Sequence, residues 1–232
     1  MKKVSHQEQQ KAWDDEHKEP QVLHRMDSED ASSGVEKFLQ FLQEKNIPHE
    51  KGIEMGCGKG RNAIWLAKKG VQMTGFDFSP AAIALSKQRA EAADVHASFQ
   101  VADATHTWPF ADEIFDIGID CFASTDIESA EGRAFALSEM RRVLKPAGYL
   151  MSYMHAAGGE FHRKVTATAP GADKNSFIRG KGKYEKIFDE SEARDLFKDF
   201  DVVQWDTIDK LTPFEGKEYR NKHYWVVLRK PH

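Results

Sequence analysis

The chain has 232 residues, enough for one well-buried α/β domain and too few for two complete ones. Its formal net charge of -4 and pI near 6.2 exclude a general attraction to nucleic acid or to an anionic membrane surface. Two cysteines, Cys57 and Cys121, exclude a disulfide framework and point to a reducing cytoplasm.

Residues 1–31 are polar and charged, with Trp13, Val22, Leu23 and Met26 as isolated apolar anchors, and read as an arm that packs over something else. The opening MKKVSHQEQQ lacks the apolar stretch of a secretory signal, and no apolar run approaches a membrane span. Ser32 or Ser33 then caps an amphipathic helix, because Val35, Phe38, Leu39 and Leu42 recur at i, i+3, i+4 and i+7. Asn46-Ile47-Pro48 ends it. Strands and helices alternate from there, which predicts a parallel sheet covered on both faces. The strands are expected at 51–55, 72–76, 97–102, 114–119 and 149–154, and the helices at 62–69, 81–92 and 130–144. Ser79-Pro80 supplies an N-cap followed by proline at the first helical position. Residues 155–186, with Gly158-Gly159, Pro170-Gly171 and Gly180-Lys181-Gly182, predict a loop-rich insertion over the site. Asp189 and Glu192 form a capping box, a short helix ends near Lys198, and strands return at 200–205 and 223–228.

The chemistry gathers at residues 52–63, GIEMGCGKGRNA. A short apolar strand carries an acid, Glu54, and breaks into Gly56, Gly58 and Gly60. Glycines there contribute no packing; they leave backbone that a ligand can touch beside the free N–H groups of a helix start. The register Gly58-x-Gly60-x-x-Ala63 also fits a dinucleotide fingerprint, so a nicotinamide-dependent oxidoreductase is one alternative. Glu54 argues against it, since an acid before the turn repels a pyrophosphate and suits a ligand bearing an ammonium group. Asp77 ends the next strand, where an acid about twenty residues beyond the turn accepts from both ribose hydroxyls.

Glu54-x-Gly56-x-Gly58-x-Gly60 resembles the first signature of the class I S-adenosylmethionine-dependent methyltransferases. Gln100-Val101-Ala102-Asp103-Ala104 is similar to that family's third signature, Trp108-Pro109-Phe110 to its adenine-side turn, and Arg142-Val143-Leu144-Lys145-Pro146-Ala147-Gly148 to its R-V-L-K-P-G-G turn. Ala147 stands in place of the first glycine, so strain is expected if that position needs positive φ. The resemblance covers residues 33–154 and 189–229. It implies a doubly wound, mostly parallel seven-stranded α/β sheet of order 3-2-1-4-5-7-6, with the seventh strand antiparallel.

It further implies S-adenosyl-L-methionine as cofactor, held at Glu54, Gly56, Cys57, Gly58, Gly60 and Asp77. Phe78 lies against the adenine, Asp103 accepts from its exocyclic amine, and the Ala104 N–H reaches a ring nitrogen. The Asp120 and Cys121 carbonyls hold the ammonium group. The chain lacks the Asn/Asp-Pro-Pro-Tyr/Phe motif of amine methylases, and Tyr153-Met154-His155 stands where metal-assisted relatives place ligands, so no metal is expected. Tyr153 and His155 at the fifth strand's C-terminal edge, with Arg25 from the arm, are the candidates to meet an acceptor. His17 and His24 share that arm. Trp13 and the GCGKGRN string are also similar to thiopurine- and tellurite-resistance-type methyltransferases, in which such an arm acts as a lid. The expected activity is methyl transfer by direct displacement to a small molecule, in a cytoplasmic monomer or homodimer with no nucleic-acid or membrane partner. A non-catalytic cofactor-binding module is the other alternative.

Overall fold

The computed structural model describes residues 3–19, 28–180 and 182–232. A helix, α1 (His6–Lys18), stands before the domain proper, and α2 (Ser33–Glu44) opens it. There follow β1 (Lys51–Met55), α3 (Arg61–Lys68), β2 (Gln72–Asp77), α4 (Pro80–Ala92), β3 (Ala97–Val101) and β4 (Phe115–Cys121). Next come α5 (Ala123–Asp126), α6 (Ala130–Val143), β5 (Leu144–Ala156), α7 (Glu160–Thr168), β6 (Ser176–Arg179) and β7 (Lys183–Lys186). The chain closes with α8 (Glu190–Leu196), β8 (Asp201–Phe214) and β9 (Lys217–Arg229).

The main sheet has seven strands in the order β3-β2-β1-β4-β5-β9-β8. β3, β2, β1, β4 and β5 run parallel, β9 is antiparallel to β5, and β8 is antiparallel to β9. With β6 and β7 forming a separate hairpin, this is the order and polarity that the resemblance implies. Each face carries a core. On one, Val35, Phe38, Leu39 and Leu42 of α2 pack with Ile117 and Ile119 of β4 and Trp225 of β9. On the other, Ile53 and Met55 of β1 meet Ala136, Met140 and Val143 of α6. Burying side chains of this size contributes about 1.5–3 kcal/mol apiece before chain entropy is counted. Trp225 Nε1 donates to the Gly34 carbonyl at 2.8 Å, which ties the start of α2 to the sheet.

Local signals hold where side chains satisfy helix ends. The Ser79 hydroxyl accepts from the Ala82 N–H with Pro80 at the first position of α4, and Asp189 and Glu192 complete their box on α8. Three elements differ from the sequence reading. β5 begins at Leu144, directly after α6, with an irregular register around Phe115 and Ile117 instead of a clean turn. Ala147 sits there at φ +60, the left-handed conformation that favours glycine. β8 and β9 form a much longer hairpin than expected, and residues 155–186 hold α7 and the β6–β7 hairpin instead of loop.

Candidate cofactor and acceptor site

The parallel strands end together, β1 at Met55, β2 at Asp77, β3 at Val101 and β4 at Cys121. A cavity of about 370 Å³ lies at this edge. In doubly wound sheets that is where ligands bind, because loops there diverge to opposite faces.

The glycine turn forms one wall. Gly56, Gly58 and Gly60 all have positive φ (61, 51 and 75). A Cβ on Gly56 would lie 2.6 Å from the Ala123 Cβ, and one on Gly58 would lie 3.3 Å from His17 Cε1. Gly60 caps α3 and lies off the cavity, against Phe99 and Ser86. The Glu54 carboxylate is buried and both its oxygens are used: Asn62 Nδ2 donates at 2.7 Å and the Ala63 N–H at 3.1 Å. It therefore organises the turn and the start of α3, and it also lines the cavity, where the sequence reading sets it toward a ligand's ammonium group. Burial raises its pKa to about 7, although the bond from Asn62 opposes the shift.

Asp77 closes the turn from β2. Its Oδ2 accepts from the Gly58 N–H and its Oδ1 from the Ser79 N–H, each at 2.9 Å. Each oxygen keeps further acceptor capacity toward the cavity it lines. Burial pushes its pKa up to about 6 against those two bonds. Cys57, Phe78, Asp103, Ala104 and Cys121 also line the cavity. The Cys121 thiol is raised to about 11 by burial. Asp120 does not line it: its carboxylate is fully buried and accepts from the Ser124 N–H at 3.0 Å and the Ser152 hydroxyl at 2.8 Å. Trp108 is a core plug, buried edge-on against Phe76 at 4.6 Å.

α1 lies across this edge, with His6, Trp13 and His17 on the cavity. Its polar side chains satisfy backbone groups of the domain. Gln9 donates to the Asp126 and Tyr184 carbonyls and accepts from the Tyr184 N–H at 2.7 Å, so it docks α1 on β7. Gln10 donates to the Phe78 carbonyl at 2.9 Å. Asp14 accepts from the Ser79 hydroxyl at 2.7 Å and the Ala81 N–H at 3.0 Å, a second cap on α4. His6 bridges Asp103 and Glu128, each at 2.7 Å. Burial works against its charge, but those two carboxylates outweigh it and raise its pKa. His17 is buried over Gly58, and burial, aided by Lys59, lowers its pKa to about 4, so it is neutral.

The far end of the cavity carries His155, Arg179, Glu185 and Asp126. His155 is brought there by β5 as predicted. Tyr153, two residues earlier, does not line the cavity; it is buried against Phe122 and His223 at 4.8 and 5.4 Å between ring centres. Arg25 and His24 lie outside the described residues. Sequence reasoning missed Arg179, Glu185, Asp126, Glu128 and His6, which have no spacing motif. Among the described residues no group of three or more His, Cys, Asp or Glu side chains is arranged to hold a metal ion.

Residues 53–148 match the family described as the methyltransferase domain. Methyltransferase GfsG of Streptomyces halstedii is 33% identical over 124 residues, which are 52% of this chain and 43% of that protein. The ubiquinone/menaquinone biosynthesis C-methyltransferase UbiE of Geotalea daltonii is 34% identical over 125 residues, 50% of this chain and 52% of that one. The chain thus spans about half the length of the curated relatives it matches. Among solved structures, a SAM-dependent methyltransferase from Methanosarcina mazei aligns with TM-score 0.69 at 23% identity, covering 82% of this chain and 97% of that one. TehB from Haemophilus influenzae aligns with TM-score 0.62 at 16% identity, covering 86% and 62%. At those identities the solved structures speak for the fold alone. The matched residues 53–148 carry the glycine turn and the strands that end at the cavity. The chain is similar to S-adenosylmethionine-dependent methyltransferases in the sequence of residues 53–148 and in its fold.

Proposed function

We propose that the chain transfers the methyl group of S-adenosylmethionine to a small-molecule acceptor enclosed beneath α1 and the β6–β7 hairpin. One observation carries this reading: a single cavity runs from the glycine turn and Asp77 to His155, with α1, β6 and β7 all contributing to its walls. The cofactor supplies a sulfonium methyl, an electrophile that needs positioning more than covalent help. Asp77 offers acceptor capacity to a ribose, while Gly56 and Gly58 keep the backbone open to close approach. In this reading Phe78 and Ala104 flank the adenine, and Cys121 lies toward the amino-acid end. Asp103 has the adenine amine as a competitor to His6, which already occupies one of its oxygens.

Residues 1–31 would act as the lid, and α7 with the β6–β7 hairpin as the acceptor-side wall. Walls from α1, β6 and β7 would limit the access of water to the displacement. The acceptor class is carried over from relatives named as demethylmenaquinone methyltransferases, whose acceptor is a small molecule. The acidic balance gives nucleic acid no electrostatic handle. Free cysteines at 57 and 121 support a reducing compartment, and no described helix is long and apolar enough to cross a membrane.

Calorimetry tests the cofactor. S-adenosylmethionine and its demethylated product should bind at micromolar levels and nicotinamide dinucleotides should not. Heat with the dinucleotides alone would overturn the reading. Labelled methyl should pass to a small-metabolite extract; transfer to bulk RNA, DNA or protein instead would overturn the acceptor class.

A further inference from the structure

The charged and titratable groups at the far end of the cavity are not equally committed. Arg179 of β6 is ion-paired with Glu185 of β7, and neither Glu185 oxygen is open to the cavity. His155 lies against the same carboxylate, with its Nε2 3.3 Å from Glu185 Oε2. Lys183 of β7 faces Glu16 of α1 at 2.7 Å. Asp126 of α5 differs from all of these. Among the described residues its carboxylate makes no hydrogen bond and no ion pair, and both its oxygens keep accessible surface on the cavity wall.

The backbone that carries Asp126 is pinned. Asp120 of β4 accepts from the Ser124 N–H at 3.0 Å, and the Thr125 hydroxyl donates to the Phe122 carbonyl at 2.5 Å. The Asp126 carbonyl accepts from Gln9 Nε2 at 2.7 Å, and the Ile127 carbonyl from Arg133 Nη1 at 2.6 Å. These bonds use the main chain on both sides and leave the side chain unspent, so a ligand would meet it already in place. The charge around it is unbalanced. Asp120 of β4 and Glu185 of β7 face it with Arg179 and Lys183, and both cations are engaged by other carboxylates. Burial, and after it Glu185, raises the Asp126 pKa, so its charge is costly unless a cation stands beside it.

We infer that Asp126 anchors an acceptor that carries a protonated amine. This rests on the methyltransferase reading and adds the acceptor's chemical class. An ammonium donates to the open carboxylate and cancels the excess charge, in a bond roughly twice as strong as one between neutral groups. A hydroxyl would donate but leave the charge uncompensated, and an anion would be repelled. Phe122 and Ile127 line the wall on either side of Asp126 in sequence and suit an apolar body on the same molecule. Held as a cation, the nitrogen has no lone pair, so it orients the acceptor and the methyl goes to another of its atoms. The absence of the amine-methylase motif after β4 accords with that division.

The test is calorimetry on the full chain saturated with the demethylated cofactor. Benzylamine, phenethylamine and butylamine are compared with benzyl alcohol, 2-phenylethanol and phenylacetate. At least one amine should bind about tenfold or more tighter than its matched alcohol, and phenylacetate should bind weakest. Asp126→Asn, or Asp126→Ser if the first variant fails to fold, should weaken that amine about 10- to 150-fold and its matched alcohol little. Cofactor affinity should stay within about twofold. A thermal melt without acceptor adds a readout that needs no ligand: Asp126→Asn breaks no hydrogen bond or ion pair, so Tm should hold or rise. A Tm loss of more than about 4 °C overturns the inference, because Asp126 would then be structural. Alcohols or phenylacetate binding as tightly as the amines, no amine binding, or undiminished amine binding by Asp126→Asn also overturns it. So does weakened cofactor binding in that variant, or labelled methyl on the amine nitrogen of a bound probe. Absence of cofactor binding by the wild type overturns the methyltransferase reading instead.

Discussion

Replacing Asp77 by alanine should weaken cofactor binding and loosen the glycine turn together, by amounts that the structure separates. The carboxylate accepts from the Ser79 N–H, in a residue with no exposed surface, and from the Gly58 N–H at the cavity wall. Water in the cavity can reach Gly58 but not Ser79, so one buried donor is orphaned, at about 1–3 kcal/mol. For a chain of this length that lowers Tm by about 2–12 °C. Losing a charged acceptor to a ribose should cost a further ~1.5–3 kcal/mol in binding, roughly 10- to 150-fold in Kd. The pKa adds a sign. With the folded value near 6 against an ordinary 3.8, the native state binds the proton more tightly than the unfolded chain. Its contribution to stability is greatest below about pH 4 and is lost as pH rises through about 6. Ribose hydroxyls donate to the ionised form, so binding in the wild type should weaken as pH falls below about 6, and that dependence should be absent in Asp77→Ala. Calorimetry over pH 5–8 and thermal melts read both effects. An unchanged Kd would place the ribose elsewhere, and an unchanged Tm would mean that Asp77 does not hold the turn.

Ala147→Gly should stabilise the protein by about 0.5–1 kcal/mol in denaturant melts, because the left-handed backbone at φ +60 is relieved. Gly56→Ala should cost about 1–3 kcal/mol and abolish measurable cofactor binding, since its Cβ would sit 2.6 Å from Ala123 at positive φ; binding at the wild-type level would contradict this. His6 has a raised pKa between Asp103, Glu128 and the exposed His106, so its contribution to docking α1 is fully present below pH 6.5 and fades as pH rises above that. Amide exchange in α1, corrected for intrinsic rates, should therefore accelerate from pH 6 to 8.5 in the wild type and be flat over that range in His6→Asn.

The fold was legible because its signals are local. Alternating β and α patterns, the Ser79-Pro80 cap and the Asp189–Glu192 box each act within a few residues and each reappears in the structure. β8 was foreshortened because it is an edge strand: Val202, Val203 and Leu211 are exposed and Pro213 is tolerated there, so no alternating core face marks it. The β6–β7 hairpin was hidden for the opposite reason. Lys183-Tyr184-Glu185-Lys186 is buried at all four positions, and charged residues in a buried strand carry no hydrophobic period.

The cofactor end was readable because turn, acid and cap lie close together in sequence, so spacing stands in for geometry. The far end of the cavity is assembled across the chain. Glu16 of α1 pairs with the buried Lys183 of β7 at 2.7 Å, and Glu185 reaches His155 from thirty residues beyond it in sequence. Such pairs exist only once the sheet has closed and α1 has docked. That arrangement has an energetic consequence. A lysine as buried as Lys183 tolerates its charge only with a carboxylate beside it, and burial already lowers its pKa. Removing α1 would strip away Glu16 and Gln9 together, leaving a buried cation and two backbone groups of Tyr184 without those partners. The hairpin that carries Glu185 is therefore tied to the helix that covers the cavity, and the two together form part of its wall.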